Sequence, residues 1–214
     1  MPARIDPASL PRFPGLLFEK KRWAQGLLRI GGIDEAGRGS WAGPVTTAVV
    51  LLPPDPKIRK KLSGVRDSKQ MTPSQRESWA GVIRAVCLSW GVGFAEAGEI
   101  DAIGIVPATR LAVYRALEQL PETPDHLLLD YLLLPDSDIP QTSLIKGDRR
   151  SLSVAAASVL AKTSRDATMR KLDEDFSGYG FGRHKGYGTQ AHQEAIRKLG
   201  LSAIHRRSWK FMGE

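Results

Sequence analysis

Two short apolar runs, parted by a glycine-rich break, constrain this chain more than any other feature. Residues 27–32 are mostly apolar and lead into Ile33-Asp34-Glu35, after which Gly37-Arg38-Gly39 breaks the pattern. Residues 45–52 are apolar and β-branched, and Pro53-Pro54 stops them. Runs of this length bounded by Gly and Pro predict strands, here an antiparallel pair. A strand pair needs a sheet to belong to and elements to cover its faces.

The covering elements follow from local signals. Thr72-Pro73-Ser74-Gln75 places Thr as N-cap, Pro at the first helical position and Gln where it closes a capping box. The helix is predicted to run to about Val86. Leu88, Trp90, Val92 and Phe94 alternate with Ser89, Gly91 and Gly93. That period of two predicts a strand with one buried face. Residues 107–120 carry Leu111, Tyr114 and Leu117 at helical spacing, and Pro121 ends them. Residues 126–130 are a short apolar run closed by Asp130, and residues 142–146 another, closed by Gly147-Asp148. Residues 151–171 predict a helix whose Ala155-Ala156-Ala157 face is small enough to lie close on a sheet. Thr189 caps a last helix to Leu199, with Gly200 at its stop. Residues 1–14 are proline-rich and read as an irregular arm, and residues 16–23 as a short basic helix. The order predicts an α/β fold: a mixed sheet with helices on both faces and a C-terminal helical piece.

The chain has 214 residues, of which 42% are hydrophobic and 25% charged. These values exclude disorder over most of its length. A chain of this size buries enough surface to fold without a disulfide or a structural metal. Cys87 is the single cysteine, which excludes an intrachain disulfide and a cysteine zinc site. One domain over residues 1–214 is expected: an arm and helix to 26, a core from 27 to 170, and a helical segment from 171 to 214. The N-terminus carries no apolar signal segment, and no run reaches the ~18 apolar residues of a membrane helix. A cytoplasmic protein without a membrane partner is expected. The net charge of +8 points to an anionic partner, nucleic acid among the candidates. The basic run at 57–61 reads as a solvated face.

Position singles out four acids. Asp34 and Glu35 end the first predicted strand, Asp130 ends the fourth, and Asp148 follows the fifth. Sites in open α/β sheets gather at strand ends. Either these acids are unrelated caps and surface groups, or the sheet brings them together. Converging carboxylates repel and raise one another's pKa. Divalent cations relieve that repulsion, and oxygen-only ligands select Mg²⁺ or Mn²⁺ over zinc. Two such ions ~3.5–4 Å apart suit in-line displacement at a phosphodiester. Successive strand residues face opposite sides, so Asp34 and Glu35 share a site only if the strand ends or twists there. Gly37-Arg38-Gly39 is either a plain turn or a loop whose backbone approaches a ligand closely. Such a loop can hydrogen-bond a 2′-hydroxyl and so tell RNA from DNA. It lacks the Gly-Lys-Ser/Thr ending of a Walker loop. Of His126, His184, His192 and His205, no pair stands beside the acids in sequence, and His126 reads as structural. Metal-activated water is therefore expected rather than a histidine acid–base pair.

Taken together, these motifs resemble the type 2 ribonucleases H, and among them bacterial ribonuclease HII. The resemblance rests on four blocks in order between residues 32 and 189. They are Gly32-Ile33-Asp34-Glu35-Ala36-Gly37-Arg38-Gly39; Asp67-Ser68-Lys69; Lys146-Gly147-Asp148 with Ser153-Val154-Ala155-Ala156-Ala157-Ser158, Ala161-Lys162 and Arg165-Asp166; and Gly186-Tyr187-Gly188-Thr189. The resemblance implies a ribonuclease H-like five-stranded sheet flanked by helices. It implies an endonuclease that cuts the RNA strand of RNA–DNA hybrids and single ribonucleotides in duplex DNA, leaving 3′-hydroxyl and 5′-phosphate ends. Its role would be ribonucleotide removal from DNA, and its cofactors two Mg²⁺ or Mn²⁺ ions. The metal-binding acids map onto Asp34, Glu35, Asp130 and Asp148. The 2′-hydroxyl sensor maps onto Gly37, Arg38 and Gly39, and the tyrosine beside the ribose onto Tyr187. Lys69 would meet a backbone phosphate. Ser158, Lys162 and Arg165 share one helix face, which suits either phosphate contact or Lys162–Asp166 pairing.

Two positions depart from the family pattern. Tyr131 follows Asp130 where the family has Gly, which leaves Asp125, Asp136 and Asp138 as alternative ligands, and Gly104 stands where Asn is common. The stretch His205-Arg206-Arg207-Ser208-Trp209-Lys210 either tracks a duplex backbone or packs its Trp on the core. A monomer is expected, and no glutamine-plus-aromatic peptide marks a sliding-clamp partner. A hybrid-binding module without catalysis, or another nuclease of the same general fold, remains the alternative.

Overall fold

The structure is a computed structural model, described here for residue 6 and residues 10–209. In chain order its elements are α1 (Leu17–Trp23), β1 (Ile30–Ala36), β2 (Val45–Leu51), α2 (Ile58–Lys61), α3 (Pro73–Val86), β3 (Ser89–Ala95) and α4 (Ala97–Ile103). Then come α5 (Ile105–Leu117), β4 (His126–Asp130), β5 (Gln141–Leu144), α6 (Gly147–Arg150), α7 (Leu152–Asp175), α8 (Phe181–His184) and α9 (Gln190–Leu199). The five strands form one sheet in the order β3-β2-β1-β4-β5. β1 pairs antiparallel with β2, and β2 with β3; β1 pairs parallel with β4, and β4 with β5. This is the mixed, helix-flanked sheet expected from the sequence, with the helical piece at the C-terminal end.

The two sheet faces carry two cores. Ala48, Val50 and Leu52 pack with Ala155, Ala156, Val159 and Leu160 of α7 and Ile83 of α3. Ile33, Val49, Leu51, Leu127 and Leu129 pack on the opposite side with Val113 and Ala116 of α5. The alternation within β1 and β2 is the period-two pattern at work. α7 lies so close on β1 that a Cβ on Gly32 would stand 2.2 Å from the Ser153 carbonyl carbon. Backbone on both sides cannot yield there. Gly32→Ala is expected to cost about 3 kcal/mol or more, read as a lowered midpoint in urea unfolding.

Local signals account for most boundaries. The Thr72–Gln75 capping box is formed in both directions, and α3 ends at Val86. Thr189 accepts from the His192 amide, and Gly200 stops α9. Glu19 of α1 is fully buried and accepts from the Ser151 and Ser153 hydroxyls and the Ser153 amide. It thereby fixes α1 against the positive N-terminal end of α7.

Several details differ from expectation. β3 packs on both faces rather than one: Val92 is buried and Phe94 half-buried against the α7-side core, while Leu88 and Trp90 near its start are exposed. Its glycine face is packed too: Cβ atoms on Gly91 and Gly93 would lie 2.1 and 2.0 Å from carbonyl oxygens of α5. α4 was not expected; Glu96 serves as its N-cap residue in a reciprocal pair with Glu99. Asp148 follows the fifth strand as expected, in the short helix α6. α7 also runs through residue 170, where the border of the C-terminal segment was placed. Among the described residues, no helix is long and apolar enough to cross a membrane.

Candidate active site

Register brings the first acids together. Ile33 of β1 pairs with Leu129 of the parallel strand β4, so Asp34 and Asp130 follow side by side at the strand ends. Asp148 enters from α6, whose first amide, that of Gly147, donates to Asp130 Oδ1 at 2.8 Å. Asp34 and Glu35 line one cavity of about 270 Å³ with Gly37, Arg38, Gly39, Ser68, Lys69, Ser158, Lys162 and Tyr187. Neighbouring strand residues can share it because β1 ends at Ala36 and Gly37 turns away at φ +90°. Only glycine adopts that turn without cost.

The electrostatics are those of crowded, sheltered carboxylates. Burial, then the charges of Glu35, Asp130 and Asp148, hold Asp34 well above the usual carboxylate range. Burial also raises Glu35, opposed by Arg38, whose Nη1 lies 3.1 Å from Glu35 Oε1. Asp130 is raised by burial against the Gly147 hydrogen bond. Asp148 is raised to about 6 by burial and by Asp130 and Asp67. Burial works against the Lys69 ammonium, yet Asp34, Asp67, Asp148 and Glu35 together hold its pKa above the ordinary value. Asp67, quoted above only as part of a block, is thus a further acid of this group. Its own carboxylate accepts from the Lys69 amide at 2.9 Å.

The alternative ligands fall away. Asp125 is engaged by Arg29 and the Leu28 amide. Asp136 and Asp138 line a different hollow with Tyr114 and Ile139. Tyr131 stands at φ +56° with its side chain exposed, so Tyr occupies a left-handed position that favours glycine.

A hard divalent ion fits the donor set. Every ligand would be a carboxylate oxygen. Asp148 Oδ1 is buried with no hydrogen-bond partner among the described residues, a costly state that an ion would relieve. Among those residues, however, no three His, Cys, Asp or Glu side chains form a ready-made cage. An ion held here would need some side-chain adjustment.

The remaining expected site residues separate into two groups. Ser158 lines the cavity while its hydroxyl bonds that of Ser68 at 2.7 Å. Lys162 lines it too, with Nζ 2.7 Å from Asp166 Oδ1 and 5.7 Å from the Tyr187 ring centroid. Arg165 does not present itself to a ligand. It is fully buried, and its donors go to the carbonyls of Pro44, Lys185 and Ala42. Helical spacing put it on the right face, but the 37–44 loop covers that face. Of the two readings left open for the C-terminal stretch, the full burial of Arg206 goes against a duplex track at that residue, and Lys210 lies outside the described residues.

Tyr187 is held by its flanking glycines. Gly186 O accepts from the Trp41 amide, and Cβ atoms on Gly186 and Gly188 would lie 2.3 Å from Ala42 O and the Trp41 ring. Behind it runs a buried relay that the sequence did not disclose. The Ser202 amide donates to His205 Nδ1 at 2.8 Å, and the two imidazole Nε2 atoms of His205 and His192 meet at 3.0 Å. His192 Nδ1 meets the Tyr187 carbonyl at 3.0 Å. A carbonyl only accepts, so His192 carries its proton on Nδ1 and His205 donates from Nε2. Burial pulls both imidazoles down to about 4. Because unfolded histidine titrates near 6.5, this pair contributes stability that is present above that pH and is lost as pH falls toward 4. Their ring-proton NMR signals are expected to keep the neutral shift at pH 5.5, and titration of either near 6.5 would contradict the relay. His126 bonds Thr142 and Arg22, a structural role as expected.

Known proteins bear on this geometry. A family model described as Ribonuclease HII matches residues 31–212. A curated Ribonuclease HII of Moorella thermoacetica is 49% identical over 193 residues, covering 90% of this chain and 92% of that one. One from Synechococcus sp. is 50% identical over 198 residues, covering 92% and 88%. Among solved structures, the PCNA:RNase HII complex from Archaeoglobus fulgidus aligns with a TM-score of 0.73 at 25% identity, covering 87% and 98%.

Proposed function

Because the chain belongs to the ribonuclease HII family, we propose that it hydrolyses the RNA strand of RNA–DNA hybrids and cuts 5′ of single ribonucleotides embedded in duplex DNA. The products would carry 3′-hydroxyl and 5′-phosphate ends. The observation that carries this reading is one cavity lined both by Asp34 and Glu35 and by Gly37, Arg38 and Gly39. A phosphodiester placed against the acids then sets its neighbouring ribose against the loop.

Asp34, Glu35, Asp130 and Asp148 would hold two Mg²⁺ or Mn²⁺ ions. When bound, such ions neutralise charge at the phosphodiester and lower the barrier to attack by water. The chain's own groups do the rest. Lys69, kept protonated among the acids, offers its ammonium to a phosphate. The amides of the 37–39 loop donate to the 2′-hydroxyl, and Tyr187, 37% exposed, lays its ring against the sugar. Lys162 stands under that ring. A site whose polar groups are satisfied only by a hydroxyl rejects the deoxy sugar strongly.

Hydrolysis of an RNA–DNA hybrid tests the reading. RNA fragments that a DNA polymerase extends directly would carry 3′-hydroxyl ends and support it. Fragments ending in cyclic phosphate would show attack by the 2′-hydroxyl instead and sink it.

A further inference from the structure

Arg206 is fully buried near the chain's C-terminal end, and its hydrogen bonds all go to backbone carbonyls. Nη2 donates to Gly37 O at 2.7 Å, Nη1 to Arg38 O at 2.8 Å, and Nε and Nη2 to Gly43 O at 3.1 and 2.9 Å. The Trp209 ring lies 5.5 Å from the guanidinium carbon. Burying a guanidinium is costly, and these bonds offset the cost at one place only, the inner side of the 37–43 loop.

The consequence lies on the loop's other side. In a trans peptide the carbonyl and the following amide point in opposite directions. With Gly37 O and Arg38 O both drawn inward to Arg206, the amides of Arg38 and Gly39 are turned outward. Neither amide has a hydrogen-bond partner among the described residues. Both residues also line the acid-bearing cavity. The geometry points to Arg206 as a positioning residue for ribose recognition: it aims the two free amides of the loop at the sugar hydroxyl. The inference rests on the ribonuclease reading and deepens it. The preceding residue, His205, acts in parallel through His192 on the Tyr187 carbonyl, so adjacent residues brace both sides of the sugar site.

Only arginine presents the planar fork that holds two carbonyls at once; lysine keeps the charge and loses the fork. The test is steady-state cleavage of a DNA duplex containing one ribonucleotide, with the all-DNA duplex as competitor. The ratio of the competitor's Ki to the substrate's KM measures discrimination, alongside kcat and the melting temperature. For Arg206→Lys the ratio is expected to fall about tenfold, the worth of one to two aimed hydrogen bonds, while Ki stays within about twofold. A second variant acts from the surface. Asp101 accepts from the Arg207 and Ser208 amides and the Ser208 hydroxyl, anchoring the segment that carries Arg206. Asp101→Ala is expected to lower the ratio about threefold. It decides the matter alone if Arg206→Lys does not fold. An unchanged ratio in the folded variants, with any loss confined to folded protein, would make Arg206 mere structural support and overturn the proposal. A wild-type protein that itself fails to discriminate would overturn the ribonuclease reading first.

Discussion

Asp148→Asn is expected to melt at a higher temperature than the parent chain in EDTA and to lose hydrolysis in Mg²⁺. Both effects follow from one cause. The Asp148 carboxyl is raised to about 6 by burial and by Asp130 and Asp67, and its Oδ1 is buried without a partner among the described residues. Above pH 6 the fold therefore carries a charge that the unfolded chain solvates freely. A raised carboxylate pKa destabilises the fold fully above the folded value, and the penalty vanishes as pH falls below the unfolded value near 4. After solvent screening, the neutral amide is expected to recover about 1–2 kcal/mol at pH 7.5. That gain should shrink steadily toward pH 4. Hydrolysis should fall by at least ~10²-fold, since losing even the supports of a metal ligand costs that much. Urea unfolding across pH, read beside hybrid cleavage, checks both. A variant less stable than the parent in EDTA at pH 7.5 would mean that the acids are not strained by one another.

The paired substitutions Gly37→Ala and Gly39→Ala should separate folding from recognition. A Cβ on Gly37 would lie 1.9 Å from Arg165 Nε, and Gly37 stands at φ +90°. Arg165 is buried and cannot move aside. Gly37→Ala is expected to lose on the order of 3 kcal/mol or more, and its activity would fall for that reason alone. A Cβ on Gly39, by contrast, meets nothing within 4 Å, and that residue is exposed in the cavity wall. Gly39→Ala should change stability by less than about 0.5 kcal/mol. Its methyl group occupies space that a ribose needs, so kcat/KM on ribonucleotide-containing duplex should fall at least about tenfold. Wild-type kinetics from a stable Gly39→Ala would show that no substrate approaches the loop there.

Much of this was readable in the sequence because its causes are local. The Thr72–Gln75 capping box and the Gly200 stop each act within a few residues, and the boundaries of α3 and α9 lie where those signals put them. The strand-ending acids were readable because an acid after an apolar run marks where a strand leaves the core. What escaped depends on contacts distant in the chain. Periodicity placed Arg165 on a helix face but could not say that the 37–44 loop covers it. Gly91 and Gly93 read as spacers, yet they are where α5 lies closest to β3. His192 and Arg206 act on carbonyls 5 and 169 residues away in sequence, and His205 acts on the His192 ring; no spacing rule assigns those partners. Asp67 was visible in its block, but only the fold shows its charge reaching Asp148.

In the proposed function, one cavity both reads a 2′-hydroxyl and breaks the adjoining phosphodiester. The most direct test uses a labelled DNA duplex containing one ribonucleotide, beside the same duplex in all-DNA form, with Mg²⁺, Mn²⁺ or EDTA. A single cut 5′ of the ribonucleotide is expected with either metal, none in EDTA, and none in the all-DNA duplex. Equal cutting of both duplexes, or tight binding without cutting in every metal, would contradict it.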